Sequence, residues 1–209
     1  MQHATPIVFV VDDDISVRES LEALIRCEGW KPETFASAQE FLTRPRVVTP
    51  SCLILDVDLP DLNGLDLQKC IASDRKDMPI IFITGHGDVP MTVRAMKAGA
   101  VEFLTKPFND EALLSAIRHS IERSNVALRR ETETGALRDC YASLTPREKE
   151  VLVLVVSGLS NKQVGAELGI SEITVKAHRG RVMQKMQAES LPDLVKIATR
   201  LRLTPAHKV

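Results

Sequence analysis

The 209-residue sequence has no long apolar run, no paired cysteines and very few aromatic residues in its last third. Its longest aliphatic stretch, Val151 to Val156, falls far short of the roughly 18 apolar residues that suggest a membrane span. The opening Met1-Gln2-His3-Ala4-Thr5-Pro6 lacks the basic start and apolar middle of a secretion signal. A cytoplasmic protein without membrane attachment is therefore expected. Cys27, Cys52, Cys70 and Cys140 are scattered within apolar segments and form no C-x-x-C pair, so reduced core thiols are expected rather than zinc ligands or disulfides. From residue 141 onward Tyr141 is the one aromatic residue, which argues against binding of single strands by base stacking.

The formal net charge of -1 conceals a division along the chain. Residues 1–123 carry 13 Lys and Arg against 19 Asp and Glu, residues 124–140 carry 3 against 3, and residues 141–209 carry 11 against 6. An acidic front and a basic back suggest different partners, and nucleic acid is the usual partner of a small basic domain.

Within the first 123 residues, five short apolar runs read as buried strands: Ile7 to Val11, Pro32 to Phe35, Cys52 to Leu55, Ile80 to Ile83 and Val101 to Leu104. Helical patterns lie between them. Ser16 with Glu19 suggests a capping box ahead of Val17, Leu21, Leu24 and Ile25; further helices are expected at about 38–42, 65–72, 90–97 and from Asn109 onward. Alternation of strand and helix predicts a parallel sheet covered on both faces. Such a sheet collects ligands outside the carboxyl ends of its strands. There the sequence places Asp12, Asp13 and Asp14 after the first strand, Asp56 after the third, Thr84 after the fourth and Lys106 after the fifth. Several close carboxylates stay ionised only beside a cation, and hard oxygen ligands with room for water suit Mg2+. A carboxylate in that setting can attack a phosphoryl group, with Lys106 and the Thr84 hydroxyl binding the transferred oxygens.

The second half is punctuated by helix caps. Thr145-Pro146-Arg147-Glu148 combines an N-cap, a proline and a capping-box glutamate; Ser160 with Gln163, Ser171, and Ser190 with Asp193 announce further helices. Four helices are predicted at about 146–157, 161–168, 172–187 and 191–202. The second and third, joined through Gly169-Ile170-Ser171, make a helix-turn-helix whose later member enters a major groove. On that helix Val175, Val182 and Met186 form an apolar stripe, while Lys176, Ala177, Gly180, Arg181 and Gln184 lie opposite it. Arg179 falls toward the apolar side, and His178 is expected to be packed and hydrogen-bonded.

These motifs carry a family resemblance along almost the whole chain. Val10-Val11-Asp12-Asp13, Asp56-x-x-Leu59-Pro60-x-x-x-Gly64, Thr84-Gly85 and Lys106-Pro107 resemble the receiver domain of bacterial two-component response regulators. Leu144-Thr145-Pro146-Arg147-Glu148, Gly158-Leu159-Ser160-Asn161-Lys162, Leu168-Gly169-Ile170-Ser171 and Thr174-Val175-Lys176-x-His178 resemble the LuxR-type DNA-binding domain. Together they resemble the FixJ/NarL class, and Thr84-Gly85-His86-Gly87-Asp88-Val89-Pro90 leans toward FixJ. The implied organisation is a flavodoxin-like receiver of strand order 2-1-3-4-5 at 1–123, a linker at 124–142 that is either a helical arm or a polar tether, and a four-helix DNA-binding domain at 143–209.

The resemblance also implies roles. Asp56 is the phosphoacceptor, phosphorylated by a sensor histidine kinase; Asp13, Asp56 and the main-chain carbonyl of Asp58 hold Mg2+, with Asp12 helping through water; Thr84 and Lys106 contact the phosphoryl group, and Phe103 changes rotamer with Thr84. The Lys106-Pro107 bond is expected to be cis. Leu59 stands where methionine is commoner, and Asp58 adds a carboxylate whose side chain is expected to face solvent. Lys176, Ala177 and Gly180 match base-reading positions, although Gly180 has no side chain to read with, and Ser171, Thr174, Arg181 and Lys185 are placed near phosphates. The expected output is a phosphorylation-dependent transcription factor that dimerises, binds roughly palindromic promoter DNA and engages RNA polymerase. Met91, Ala95, Ala98 and Val101 suggest a receiver dimer face, and Leu194, Ile197, Ala198 and Leu201 a second contact. Such a protein is no enzyme beyond accepting and losing its own phosphoryl group. Two other functions fit parts of the sequence: a DNA-binding regulator independent of phosphorylation, and a Mg2+-dependent phosphatase using Asp56 and Asp58 as nucleophile and acid.

Overall fold

A computed structural model describes residues 5–72 and 74–203. The chain forms two compact units, Met1–Arg129 and Arg130–Val209.

The first unit is built on β1 (Ile7–Val11), β2 (Lys31–Phe35), β3 (Ser51–Asp56), β4 (Ile80–Thr84) and β5 (Glu102–Thr105), all parallel, in the order β2-β1-β3-β4-β5. Every residue of β1, β3 and β4 is buried, as continuous apolar strands between two helical layers must be. Helices α1 (Ile15–Cys27) and α5 (Asp110–Ala142) cover one face, where Leu21, Ile25, Leu113 and Ile117 meet Val8, Val10, Ile54 and Ile81. Helices α2 (Ala38–Thr43), α3 (Gly64–Ile71) and α4 (Val89–Lys97) cover the other, where Phe41, Leu67, Ile71 and Ala95 meet Phe9, Leu53, Leu55 and Phe82. Helix α1 starts two residues earlier than the Ser16 capping box implies. Asp14 is its N-cap and accepts from the Ser16 N–H at 2.8 Å, since an ionised side chain already at the strand exit satisfies the first-turn donors.

The predicted linker residues lie within α5, which continues to Ala142. Of the four cysteines only Cys52 is buried, and burial pushes its thiol above the ordinary range; Cys27 and Cys70 are exposed and Cys140 is half-buried. The expectation of four core thiols therefore fails for Cys27 and Cys70, whose helix positions face outward, while Cys140 packs partly against the core of the second unit.

The second unit holds α6 (Pro146–Val156), α7 (Asn161–Leu168), α8 (Glu172–Lys185) and α9 (Leu191–Arg200) around Leu144, Val151, Leu152, Val155, Val164, Val175, Val182, Met186, Leu194 and Ala198. Thr145 and Ser160 each close a full capping box. The turn from α7 to α8 uses Gly169 at φ +65°, a conformation that favours glycine. A Cβ at Gly165 would stand 2.7 Å from the Ile170 carbonyl oxygen, so α7 approaches the turn at a distance only glycine allows.

Candidate functional site

Parallel pairing aligns the strand ends: Val11 lies opposite Leu55, Asp56 opposite Ile83, and Thr84 opposite Thr105. The polar residues leaving β1, β3, β4 and β5 thus share one edge of the sheet. The Lys106 N–H donates to the Thr84 carbonyl at 2.7 Å, and the Lys106–Pro107 peptide is cis. From there the ammonium reaches Asp12 Oδ2 at 2.6 Å and Asp56 Oδ2 at 2.7 Å. Carboxylate oxygens of Asp12, Asp13 and Asp56 all lie within 4.8 Å of one another.

Asp12 is fully buried, Asp56 nearly so, and Asp13 is exposed. Burial raises the Asp12 carboxyl above its ordinary range against the opposing hydrogen bond from Lys106. Burial alone would lower Lys106, but its hydrogen bonds to Asp12 and Asp56 outweigh that and raise it. Three carboxylates face one ammonium. When ionised they leave a negative, oxygen-only pocket open to water on the Asp13 side, a donor set that suits a divalent cation such as Mg2+.

Asp58 lies outside this group. Its Oδ2 accepts from the Thr84 hydroxyl at 2.9 Å, and the Thr84 oxygen in turn accepts from the His86 N–H at 3.1 Å. The expectation that the Asp58 side chain simply faces solvent is corrected: the residue is exposed, yet its carboxylate is held by Thr84. The Asp58 N–H donates to Asp56 Oδ1 at 3.1 Å, fixing the other oxygen of that carboxylate. Phe103 is half-buried, with its ring centroid 6.1 Å from that of Phe82.

Two residues not singled out by sequence reasoning complete the site. The Arg18 guanidinium donates to the carbonyls of Asp12 at 2.6 Å and Asp13 at 2.9 Å, bracing the acidic turn. Nothing in the sequence distinguishes it from the other arginine of α1. Gly87 lies over the Thr84 and Phe103 side chains: a Cβ there would stand 2.8 Å from Thr105 Cγ2 and 3.1 Å from Phe103 Cε1. Its place in the Gly85-His86-Gly87 stretch is a signal, though not one that reveals the crowding.

In the second unit Ser171, Thr174, Lys176, Ala177, Gly180 and Arg181 are all exposed along α8. Ser171 caps the helix, and its hydroxyl pairs with that of Thr174 at 2.8 Å. Arg179 turns to the other side and donates to Asn161 Oδ1 at 3.0 Å.

Lys185 requires a correction. Its ammonium is bound to Glu148 Oε2 at 2.7 Å and to the Ser143 carbonyl at 3.2 Å, so the predicted phosphate contact is replaced by an internal ion pair. His178 is packed as expected, but its buried Nδ1 has no hydrogen-bond partner among the described residues.

The Lys185 hydrogen bond, with that from the Thr145 N–H, holds the buried Glu148 carboxyl down to about 2 from an ordinary 4.5. A carboxylate depressed in the folded state adds stability that is present above its unfolded value and is lost as pH falls through the folded one. The second unit should therefore weaken between pH 4.5 and about 2. Glu148→Gln should cost about 1 kcal/mol at pH 7 and flatten that decline in urea titrations of the full chain. An equal acid decline in both proteins would remove Glu148 as its cause.

Comparison with known proteins bears on both units. Residues 8–118 match the family model described as response regulator receiver domain, and residues 142–198 match that of bacterial regulatory proteins, luxR family. Nodulation protein W of Bradyrhizobium diazoefficiens is 51% identical over 201 residues, covering 96% of this chain and 88% of that protein. Transcriptional regulatory protein FixJ of Azorhizobium caulinodans is 42% identical over 199 residues, covering 95% and 94%. Among solved structures, the response regulator StyR aligns with a TM-score of 0.81 at 47% identity, covering 94% of this chain and all of that one.

Proposed function

From the premise that this chain belongs to the response regulators that join a receiver domain to a LuxR-type DNA-binding domain, we propose that Asp56 is the residue through which phosphorylation controls its binding to promoter DNA. The observation that carries this reading is the Lys106 ammonium shared between Asp12 and Asp56, with Asp13 completing an acidic pocket at the strand exits.

An Asp56 carboxylate oxygen attacks the phosphorus of a phosphohistidine on a sensor kinase; the P–N bond breaks and the histidine nitrogen keeps the electron pair. Bound by Asp12, Asp13, Asp56 and the Asp58 carbonyl, Mg2+ would offset charge on the transferred group. Lys106 neutralises one phosphoryl oxygen. Thr84, released from Asp58, donates its hydroxyl to another. That movement changes the space above Phe103, next to the crowded Gly87. The reaction is a single event on the protein itself, so the chain acts in this reading as a regulator rather than as an enzyme.

The dimer face suggested by sequence is only partly available on the surface. Ala95 is buried and Met91 packs inward against the core, while Ala98 is exposed and Val101 half-buried; Val89, Val93 and Met96 are exposed along α4. These three, spaced four and three residues apart on one helical stripe, are the face that a second copy would cover. On α9, Leu194 and Ala198 are fully buried, whereas Ile197 and Leu201 are only partly covered by the same core and keep surface for a second contact. A dimer places two α8 helices on successive half-sites of a roughly palindromic operator, from which it acts on RNA polymerase.

Beryllofluoride with Mg2+ should convert the full chain from monomer to dimer in sedimentation velocity at micromolar concentration and increase retention of promoter DNA. Asp56→Asn should abolish both responses. DNA retention that ignores both treatments would support a regulator independent of phosphorylation, and repeated turnover of phosphate esters would support a phosphatase.

A further inference from the structure

Ile173 lies in the first turn of α8 and is 82% exposed, more than Val48 and Val89 at 77% each. A lone exposed isoleucine needs no explanation in general; its neighbours on the helix surface supply one here. Ile173, Ala177, Gly180 and Gln184 follow one another at i, i+4, i+7 and i+11, a line directly opposite the buried Val175, Val182 and Met186. All four are exposed. Lys176 lies to one side of the line and Thr174 and Arg181 to the other, also exposed. The outermost line of the helix is thus uncharged, with a hydrogen-bonding side chain only at Gln184, while the cations flank it.

Gly180 sharpens the point. A Cβ there would meet nothing within 4 Å, and its φ is not in the left-handed region. Neither packing nor backbone conformation within this chain calls for glycine, which weakens a helix relative to alanine. What glycine supplies at that place is a gap on the outward line.

A helix with cations at its flanks and an apolar, indented crest matches a duplex major groove: phosphates lie along both walls, and the thymine C5-methyl is the apolar group presented by the base edges. On the reading above that α8 enters the groove, we infer that Ile173 is a specificity-determining residue that packs on a thymine methyl in each half-site, and that the gap at Gly180 lets the helix sit deep enough for this contact. Sequence recognition along this line is then by methyl packing and shape, with base hydrogen bonds left to Lys176 and Gln184. Ile173 also lies outside the set of residues that the family motif points to.

The test uses the full chain with beryllofluoride and Mg2+, and a duplex it selects from a randomised pool. Thymidines are replaced one at a time by deoxyuridine, which removes only the methyl. At one position in each half-site the wild-type protein should lose about four-fold in affinity, the worth of one buried methyl. Ile173→Ala should bind the thymine duplex about as weakly as the wild type binds the uracil one and should not respond to the replacement. Gly180→Ala should melt at a higher temperature yet bind the selected duplex less tightly.

If a specific duplex is selected but no uracil replacement separates wild type from Ile173→Ala, the methyl contact is overturned while DNA recognition stands. If Gly180→Ala binds as tightly as wild type, the gap has no such role and the inference fails in that part. If the pool yields no preferred sequence, sequence-specific DNA binding and the inference fall together.

Discussion

Gly64→Ala should destabilise the first unit by about 3 kcal/mol, at the upper end of what overpacking costs, and should weaken beryllofluoride binding at the same time. The added Cβ would lie 2.4 Å from the Asp56 carbonyl oxygen and 3.0 Å from the Val57 Cα. Both neighbours are backbone and cannot swing aside. Gly64 opens α3, and its N–H donates to the Val57 carbonyl at 3.0 Å, so helix and strand exit are drawn together at this point. Any shift that relieves the clash moves the main chain of Asp56, and with it the carboxylate that Lys106 and the Asp58 N–H hold. Gly85 provides the contrast: a Cβ there meets nothing within 4 Å, so Gly85→Ala should stay within about 0.5 kcal/mol of wild type. Denaturant unfolding of both variants checks the comparison, and equal midpoints would show that the α3 start yields without strain.

Gly64 also illustrates what the sequence makes legible. Its place eight residues after Asp56 is readable as part of a motif, but the reason for glycine is a distance between a helix and a strand end. The central strands were readable because a sheet covered on both faces requires continuous apolar runs, and Ile7–Val11 or Ile80–Thr84 can hardly be anything else; the expectation of burial fails for β2 and β5, which lie at the sheet edges and are only partly covered. Convergence of Asp12, Asp56, Thr84 and Lys106 followed from parallel pairing alone.

Partner choice among polar side chains was not readable. Thr84 and Asp58 are 26 residues apart, and Lys185 and Glu148 are 37 apart; no local periodicity couples them. In each case a group assigned to solvent or to a ligand is engaged by its own chain, because a nearby opposite charge or hydroxyl in the folded state outcompetes water. The same limit explains Met91 and Ala95. Apolar residues on α4 serve both the core and the outer stripe, and only the helix's rotation against the sheet decides which is which.

Lys106→Met should separate two properties that a purely structural role would move together. The ammonium is the positive charge between the buried Asp12 and Asp56. Its removal leaves their like charges uncompensated and should cost the metal-free first unit about 2 kcal/mol, below the full loss of a buried partner because the lysine side chain is 23% exposed. In the variant a divalent cation enters the acidic pocket without a competing positive charge. Mg2+ binding should therefore tighten, and added Mg2+ should restore most of the lost stability by mass action. Acceptance of a phosphoryl group from acetyl phosphate should nevertheless slow by about a hundred-fold, because a fixed cation aimed at charge that develops during transfer is worth roughly that much. Mg2+ titration followed by thermal unfolding reads the first property, and the rate of acyl phosphate formation reads the second. If the variant binds Mg2+ more weakly and loses phosphorylation in proportion, Lys106 acts only through the shape of the pocket.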